Sequence, residues 1–319
     1  MSALAERALG SSAVRVTTIV LGGAPLGGLF EAVSAEQARA TLEAAWAGGV
    51  RAFDTAPHYG VGLAEERLGE FLADGRRSDA VVSSKVGRLL VPTDEDVEGV
   101  DGFYGTPRRR RVLDYSRAGV RRSVEESCAR LGTDRLDIAL VHDPDEHFDQ
   151  ALEESLPALH ELRAEGVVGA VGVGMNQAEM LARFVRLAEL DCVLVAGRWT
   201  LLDRRAGDDL LPLCAERGVA VLAAGALNSG ILADPGLRPT FDYAPAEAEL
   251  RARALRLEER CAAHGVSLRA AALQFPLRHP AVAALVLGAR SPEEVRVDLD
   301  DLSQQLPEEL WGELERPGW

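Results

Sequence analysis

Lysine is nearly missing from this chain. Of 35 basic residues among 319, Lys85 alone is a lysine and the rest are arginines. A composition so far shifted leaves two readings of Lys85: an accidental survivor on a solvated face, or a position that needs an amine. Positive charge as a whole is also short. Fifty acidic residues give a net charge of -15, which argues against nucleic acid or an anionic membrane as the main partner. The four cysteines (Cys128, Cys192, Cys214, Cys261) share no short metal or redox spacing. In a chain this long they make no disulfide framework and read as small core hydrophobes in a reducing cytosol. No apolar run approaches the roughly 18 residues of a membrane span. Residues 1–12 carry Glu6 and Arg7 where a secretion signal needs an apolar stretch. A cytoplasmic protein is expected. With no Pro/Ser-rich linker, residues 1–319 are expected to form one domain.

Short apolar runs recur instead: Thr18–Leu21, Ala52–Thr55, Ala80–Ser84, Asp137–His142, Gly169–Gly174, Cys192–Gly197, Ala220–Ala224 and Ala283–Gly288. They show little alternation, as strands buried on both faces of a parallel sheet do. Amphipathic stretches with helix start signals lie between them. Ser34-Ala-Glu-Gln37 and Ser291-Pro-Glu-Glu294 are capping boxes, and Asn176-Gln-Ala-Glu179 resembles one. Eight strands alternating with helices predict an α/β fold of the (β/α)8 TIM-barrel type. The alternative, a doubly wound open sheet, normally opens with a G-x-G-x-x-G turn. The glycine-rich segment Leu21–Gly28 does not match that spacing. In a barrel, chemistry belongs at the C-terminal ends of the strands.

Those ends carry a distinctive set. The second run leads into Asp54 and Tyr59, the third into Lys85, and the fourth ends at His142. Tyrosine is a poor proton carrier at neutral pH, but a neighbouring ammonium favours the phenolate. Asp54 can keep Lys85 charged and oriented, and His142 can bond the oxygen that gains or loses the proton. The set reads as a general acid/base at a carbonyl or hydroxyl carbon, with no metal ligand set in view. Each residue also has a structural role open to it: a loop cap, a packed aromatic, a core histidine. Their arrival together on one rim is what favours chemistry.

The segment Phe53-Asp-Thr-Ala-Pro-His-Tyr-Gly-Val-Gly-Leu-Ala-Glu-Glu-Arg-Leu-Gly69, with Lys85 and His142 in order behind it, resembles the aldo-keto reductase superfamily. The resemblance runs from the first strand to Ser291-Pro-Glu-Glu294. It implies a barrel that uses NAD or NADP without a Rossmann domain, with Asp54, Tyr59, Lys85 and His142 as its tetrad. Tyr104–Arg111, His142–Asp145, Gly172–Asn176, Asn228–Gly230 and Leu273–Leu277 further resemble the aldose 1-dehydrogenase branch. That branch implies a small sugar substrate of the L-fucose, L-galactose or D-arabinose type, oxidised at C1 to the aldonolactone. The alternative within the same fold is an NAD(P)H-dependent reductase of aldehydes or ketones. Two other classes are weighed as well: a lyase using Lys85 as a Schiff-base amine, and a subunit that binds the nucleotide as a redox sensor.

Several positions depart from the family pattern. Gly174 and Met175 stand where many members place Ser-Asn, Ala196 where a Gln is common, and Ala224 where an aromatic often stacks on the nicotinamide. Asn176 is then a candidate to hold the amide, or equally a helix N-cap, and Trp199 a candidate ring. Gly288, Arg290 and Ser291 lead into a capped helix whose N-terminus suits the cofactor phosphates. Arg290 either reaches a ribose 2′-phosphate or is simply solvated. Glu294 stands where NADP-preferring members often carry a basic residue, and the choice between NAD and NADP is open. The run Arg108–Arg111 lacks interleaved aromatics and is expected to be a solvated or ion-paired loop after the third strand. Phe103 and Tyr104, on the same loop, are expected beside the substrate.

Overall fold

The computed structural model describes residues 4–237, 240–242 and 244–315. All eight apolar runs become parallel strands: β1 (Ile19–Gly22), β2 (Ala52–Asp54), β3 (Val81–Val86), β4 (Leu136–His142), β5 (Val168–Met175), β6 (Cys192–Ala196), β7 (Ala220–Ala224) and β8 (Val282–Gly288). They pair in chain order, and β8 closes on β1 with Leu285 opposite Ile19. Closure leaves the barrel sheet without a free edge.

Successive side chains then face two different interiors. Val20, Ile138, Leu140, Leu194, Leu222 and Val286 point inward and fill the barrel. Ile19, Leu21, Val141, Val171, Val193 and Leu285 point outward beneath the helices. Both sets are apolar, which is why the strands read as unbroken runs. An antiparallel hairpin, Glu6–Ala8 with Arg15–Thr17, closes the bottom. Its Leu9 and Val16 join the inner cluster.

The outer layer holds α1 (Ala35–Ala47), α2 (Leu63–Leu72), α3 (Arg117–Leu131), α4 (Leu156–Ala164), α5 (Ala178–Leu187), α6 (Leu210–Arg217), α7 (Ala248–Ala263), α8 (Leu268–Gln274) and α9 (Pro292–Ser303). Ser34 and Ser291 cap α1 and α9, their hydroxyls accepting from the Gln37 and Glu294 amides, each at 3.1 Å. At α5 the expected box does not form. β5 runs on to Met175, so the helix starts later, with Gln177 at its N-cap and no side-chain bond. Asn176 is therefore no cap.

The arginine run is a strand rather than a loop. Arg109–Leu113 pairs antiparallel with Arg88–Pro92. Alternation splits the arginines: Arg108 and Arg110 are exposed, while Arg109 meets Glu66 at 2.7 Å and Arg111 meets Asp101 at 2.8 Å. Among the described residues no helix is long and apolar enough to cross a membrane.

Candidate active site

The rim residues converge. Lys85 Nζ donates to Asp54 Oδ2 at 2.6 Å, to the Thr55 carbonyl at 2.9 Å and to Tyr59 Oη at 3.0 Å. Asp54 and Lys85 are buried, so neither charge could persist there alone. Ser83 Oγ holds the other Asp54 oxygen at 2.9 Å. His142 stands edge-on to Tyr59, with ring centres 5.9 Å apart. Tyr59, Lys85 and His142 line a cavity of about 550 Å³.

Tyr59 owes its place to glycines. A Cβ on Gly27 would lie 2.7 Å from the Tyr59 carbonyl carbon, and one on Gly60 would lie 2.3 Å from the Gly27 oxygen. The glycine-rich segment after β1 thus seats the loop that carries Tyr59 by close backbone approach. Tyr115, absent from the sequence reading, holds the neighbouring strand end. It is buried, and its hydroxyl lies 2.6 Å from the His142 carbonyl and 2.9 Å from that of Asp143. Only its contact across the fold marks it, and no local motif does.

The electrostatics correct one expectation. Burial lifts the Tyr59 pKa to about 12, and Lys85 limits that rise without reversing it. Desolvation of the phenolate outweighs one ammonium that is itself shared with Asp54. Burial pulls Lys85 down, but Asp54 and then Tyr59 more than compensate, so the amine stays charged. Burial, followed by the nearby Arg88, drives His142 well below the ordinary histidine range and His58 to about 2. Both imidazoles are neutral at physiological pH.

The other candidates divide. Asn176 lines the cavity, its carbonyl held by Arg198 Nε at 2.9 Å. Gly174, Met175 and Ala196 line it too, and Ala196 pairs with Ala224 across β6 and β7. Gly174 and Ala196 are small and add little bulk to this wall. Trp199 is not brought to this cavity: its ring packs on Phe275 at 5.0 Å and on His279 at 5.7 Å. Phe103 is in the wall, its ring 6.3 Å from that of Tyr59. Tyr104 is 38 % exposed and outside that lining. Backbone alternation sends these two neighbours opposite ways.

Residues fitting a nicotinamide dinucleotide continue along the rim past β7 and β8. Asn228 Oδ1 is a buried acceptor without a partner among the described residues, while its Nδ2 donates to the Gly197 carbonyl at 3.2 Å. Such an acceptor suits an amide or hydroxyl of the cofactor. Gly288 is exposed at the end of β8, beside Pro25. Arg290 is not a free cation: its guanidinium meets Glu31 at 2.9 Å and Glu294 at 3.4 Å, and its amide donates to Glu294 at 2.8 Å.

A closed eight-stranded barrel with a buried Asp–Lys–Tyr chain and a facing histidine is an arrangement that can move one proton at a carbonyl or hydroxyl carbon, as an oxidoreductase of alcohols and carbonyls requires. Residues 18–316 match the model of the aldo/keto reductase family. The chain belongs to that family, whose members use a nicotinamide cofactor. It is 42% identical to a D-threo-aldose 1-dehydrogenase of Pseudomonas sp over 97% of this chain and 96% of the relative. It is also 42% identical to a pyridoxal 4-dehydrogenase of Microbacterium luteolum, over 100% of this chain and 98% of that one. Among solved structures, an aldo-keto reductase from Bacillus halodurans in its holo form superposes with a TM-score of 0.78 at 25% identity. That match covers 98% of this chain and 95% of the other.

Proposed function

We propose that this protein is an aldose 1-dehydrogenase. It oxidises the anomeric hydroxyl of a sugar of the L-fucose, L-galactose or D-arabinose type to the aldonolactone. The observation that carries this reading is the Lys85–Tyr59 contact of 3.0 Å at the floor of a cavity that also holds His142 and Asp143. The bound nicotinamide supplies the hydride acceptor. The rest falls to the chain. His142, neutral, bonds the anomeric oxygen and aims it at Tyr59. Tyr59 acts as its phenolate: Oη, backed by Lys85, takes the hydroxyl proton and becomes the phenol as C1 gives up its hydride. Asp54 keeps Lys85 charged throughout.

The cofactor is read as NAD. Glu31 and Glu294 already neutralise Arg290, and acidic groups there repel a 2′-phosphate but accept a bond from a 2′-hydroxyl. Asn176, in the cavity wall, and Asn228, with its buried Oδ1, are read as the partners for the cofactor's amide and hydroxyls. The chain is further read as one cytoplasmic domain, with its charge of -15 disfavouring nucleic acid.

Pyridoxal is the second reading, favoured by a relative of equal identity, and reduction of aldehydes or ketones is the third. Initial rates with L-fucose, L-galactose, D-arabinose and pyridoxal, each with NAD+ and NADP+, separate them from a panel of simple aldehydes with NADH. The aldoses with NAD+ are expected to lead. No absorbance rise with any aldose, alongside fast reduction of simple aldehydes, would sink the dehydrogenase reading.

A further inference from the structure

The residue after His142 sits in an unfavourable backbone shape. Asp143 has a φ of 43°, in the left-handed region. Three contacts hold it there. Its amide donates to the Gly174 carbonyl at 2.9 Å, its carbonyl lies 2.9 Å from the Tyr115 hydroxyl, and its carboxylate accepts from Arg88 Nη2 at 3.0 Å. Backbone of this kind persists where its surroundings over-determine it, and such places cluster at functional sites. Here the outcome is a carboxylate in the wall of the catalytic cavity, with Oδ2 3.5 Å from His142 Nε2. Burial pushes this carboxyl above its ordinary range, and Arg88 offsets only part of that rise.

We propose that Asp143, held in place by Arg88, selects substrates that carry a hydroxyl on the carbon next to the reacting one. The argument is chemical. The reacting oxygen lies against Tyr59 and His142, so a carboxylate beside the histidine nitrogen faces the neighbouring carbon. A carboxylate can only accept. On a pyranose or furanose the ring oxygen has no proton to give it, and the 2-hydroxyl has. Leu29 and Phe103, also in this wall, carry no side-chain polar atom to take that role. A substrate lacking the hydroxyl offers no donor to Asp143 Oδ1, the carboxylate oxygen that Arg88 does not hold, and a polar site discriminates by such a lost bond. The inference rests on the aldose reading for its substrate. It applies equally to reduction of an α-hydroxy carbonyl.

The test compares D-arabinose with 2-deoxy-D-ribose, which is the same pentose without its 2-hydroxyl. The wild type is expected to prefer D-arabinose by about 10- to 100-fold in kcat/KM. In Asp143→Ala the D-arabinose value should fall to that of the deoxy sugar while the deoxy value holds, so the ratio collapses. Asp143→Asn keeps the left-handed preference and carries the test if the alanine variant misfolds; it should narrow the ratio. An indifferent wild type overturns the proposal. So does a uniform loss on both sugars, which is what a purely structural role would give. If the wild type oxidises neither pentose, nor L-fucose or L-galactose, the aldose reading itself has failed. Reduction of glyceraldehyde against 3-hydroxypropanal then decides the role of Asp143 by the same ratio.

Discussion

Lys85 works because three oxygens meet it in a space the size of an ammonium. The Asp54 carboxylate, the Thr55 carbonyl and the Tyr59 hydroxyl lie within 3.0 Å of its nitrogen. A guanidinium is planar and larger and cannot point one compact charge at the phenol. Lys85→Arg is expected to lower kcat by about 10²-fold or more, with cofactor binding followed by fluorescence as the control for folding. Normal turnover would reopen the question of why this chain keeps a lysine. The raised Tyr59 pKa sets a second expectation. Below about 12 the phenolate fraction grows with pH, so aldose oxidation should climb across pH 7–10, about tenfold per unit while proton transfer limits. Tyr59→Phe should be flat there and about 10²–10⁴ slower. His58 and His142 stay neutral throughout and add no inflection to this rise. They act on stability instead. The unfolded chain binds protons on both below its ordinary pKa near 6.5, and the folded chain does not. Their contribution is present above that pH and lost as pH falls below it, for His58 until about 2.

At the scale of elements, the eight strands were legible because each is buried on both faces, and their ends fell within two residues of the apolar runs. The hairpin of Arg88–Pro92 with Arg109–Leu113 was not legible. Four consecutive arginines hide the alternation, and the partners that sort them, Glu66 and Asp101, lie on other segments. Asn176 was ambiguous in sequence because the length of β5, set by pairing with β4 and β6, decides where α5 begins. The spacing of β5 and β6 is itself set by a glycine. A Cβ on Gly172 would lie 2.2 Å from the Cys192 carbonyl oxygen. Gly172→Ala should cost about 3 kcal/mol or prevent folding, read as a shifted urea midpoint, and an unchanged midpoint would show that the strands can part at no cost.

Across the whole molecule, buried charges tie layers together. Asp191, nearly inaccessible, receives Arg163 of α4 and the Val171 amide of β5, each at 2.9 Å, and Ser11 of the bottom closure at 3.2 Å. Asp191→Ala would leave Arg163 and the amide unpaired in one step. About 3–5 kcal/mol of stability should be lost in urea titration, and because the site lies at the opposite end of the barrel, kcat of the folded fraction should be unchanged. A fall in kcat at full folding would mean the two ends are coupled.

By itself the sequence determined the barrel and the family and put Asp54, Tyr59, Lys85 and His142 on one rim, since each is written locally: a period of burial, a contiguous motif, a strand end. It also flagged Lys85 by composition alone. The tertiary structure decided what depends on distance and solvent. It turned Tyr59 into a weaker acid than its lysine neighbour suggested, because burial acts on every side of the phenol and a charge acts from one. It took Trp199 out of the cavity, matched Arg290 with two glutamates, and set Asp143 against His142. Those outcomes rest on contacts between segments far apart in the chain, and a linear string carries no measure of that proximity.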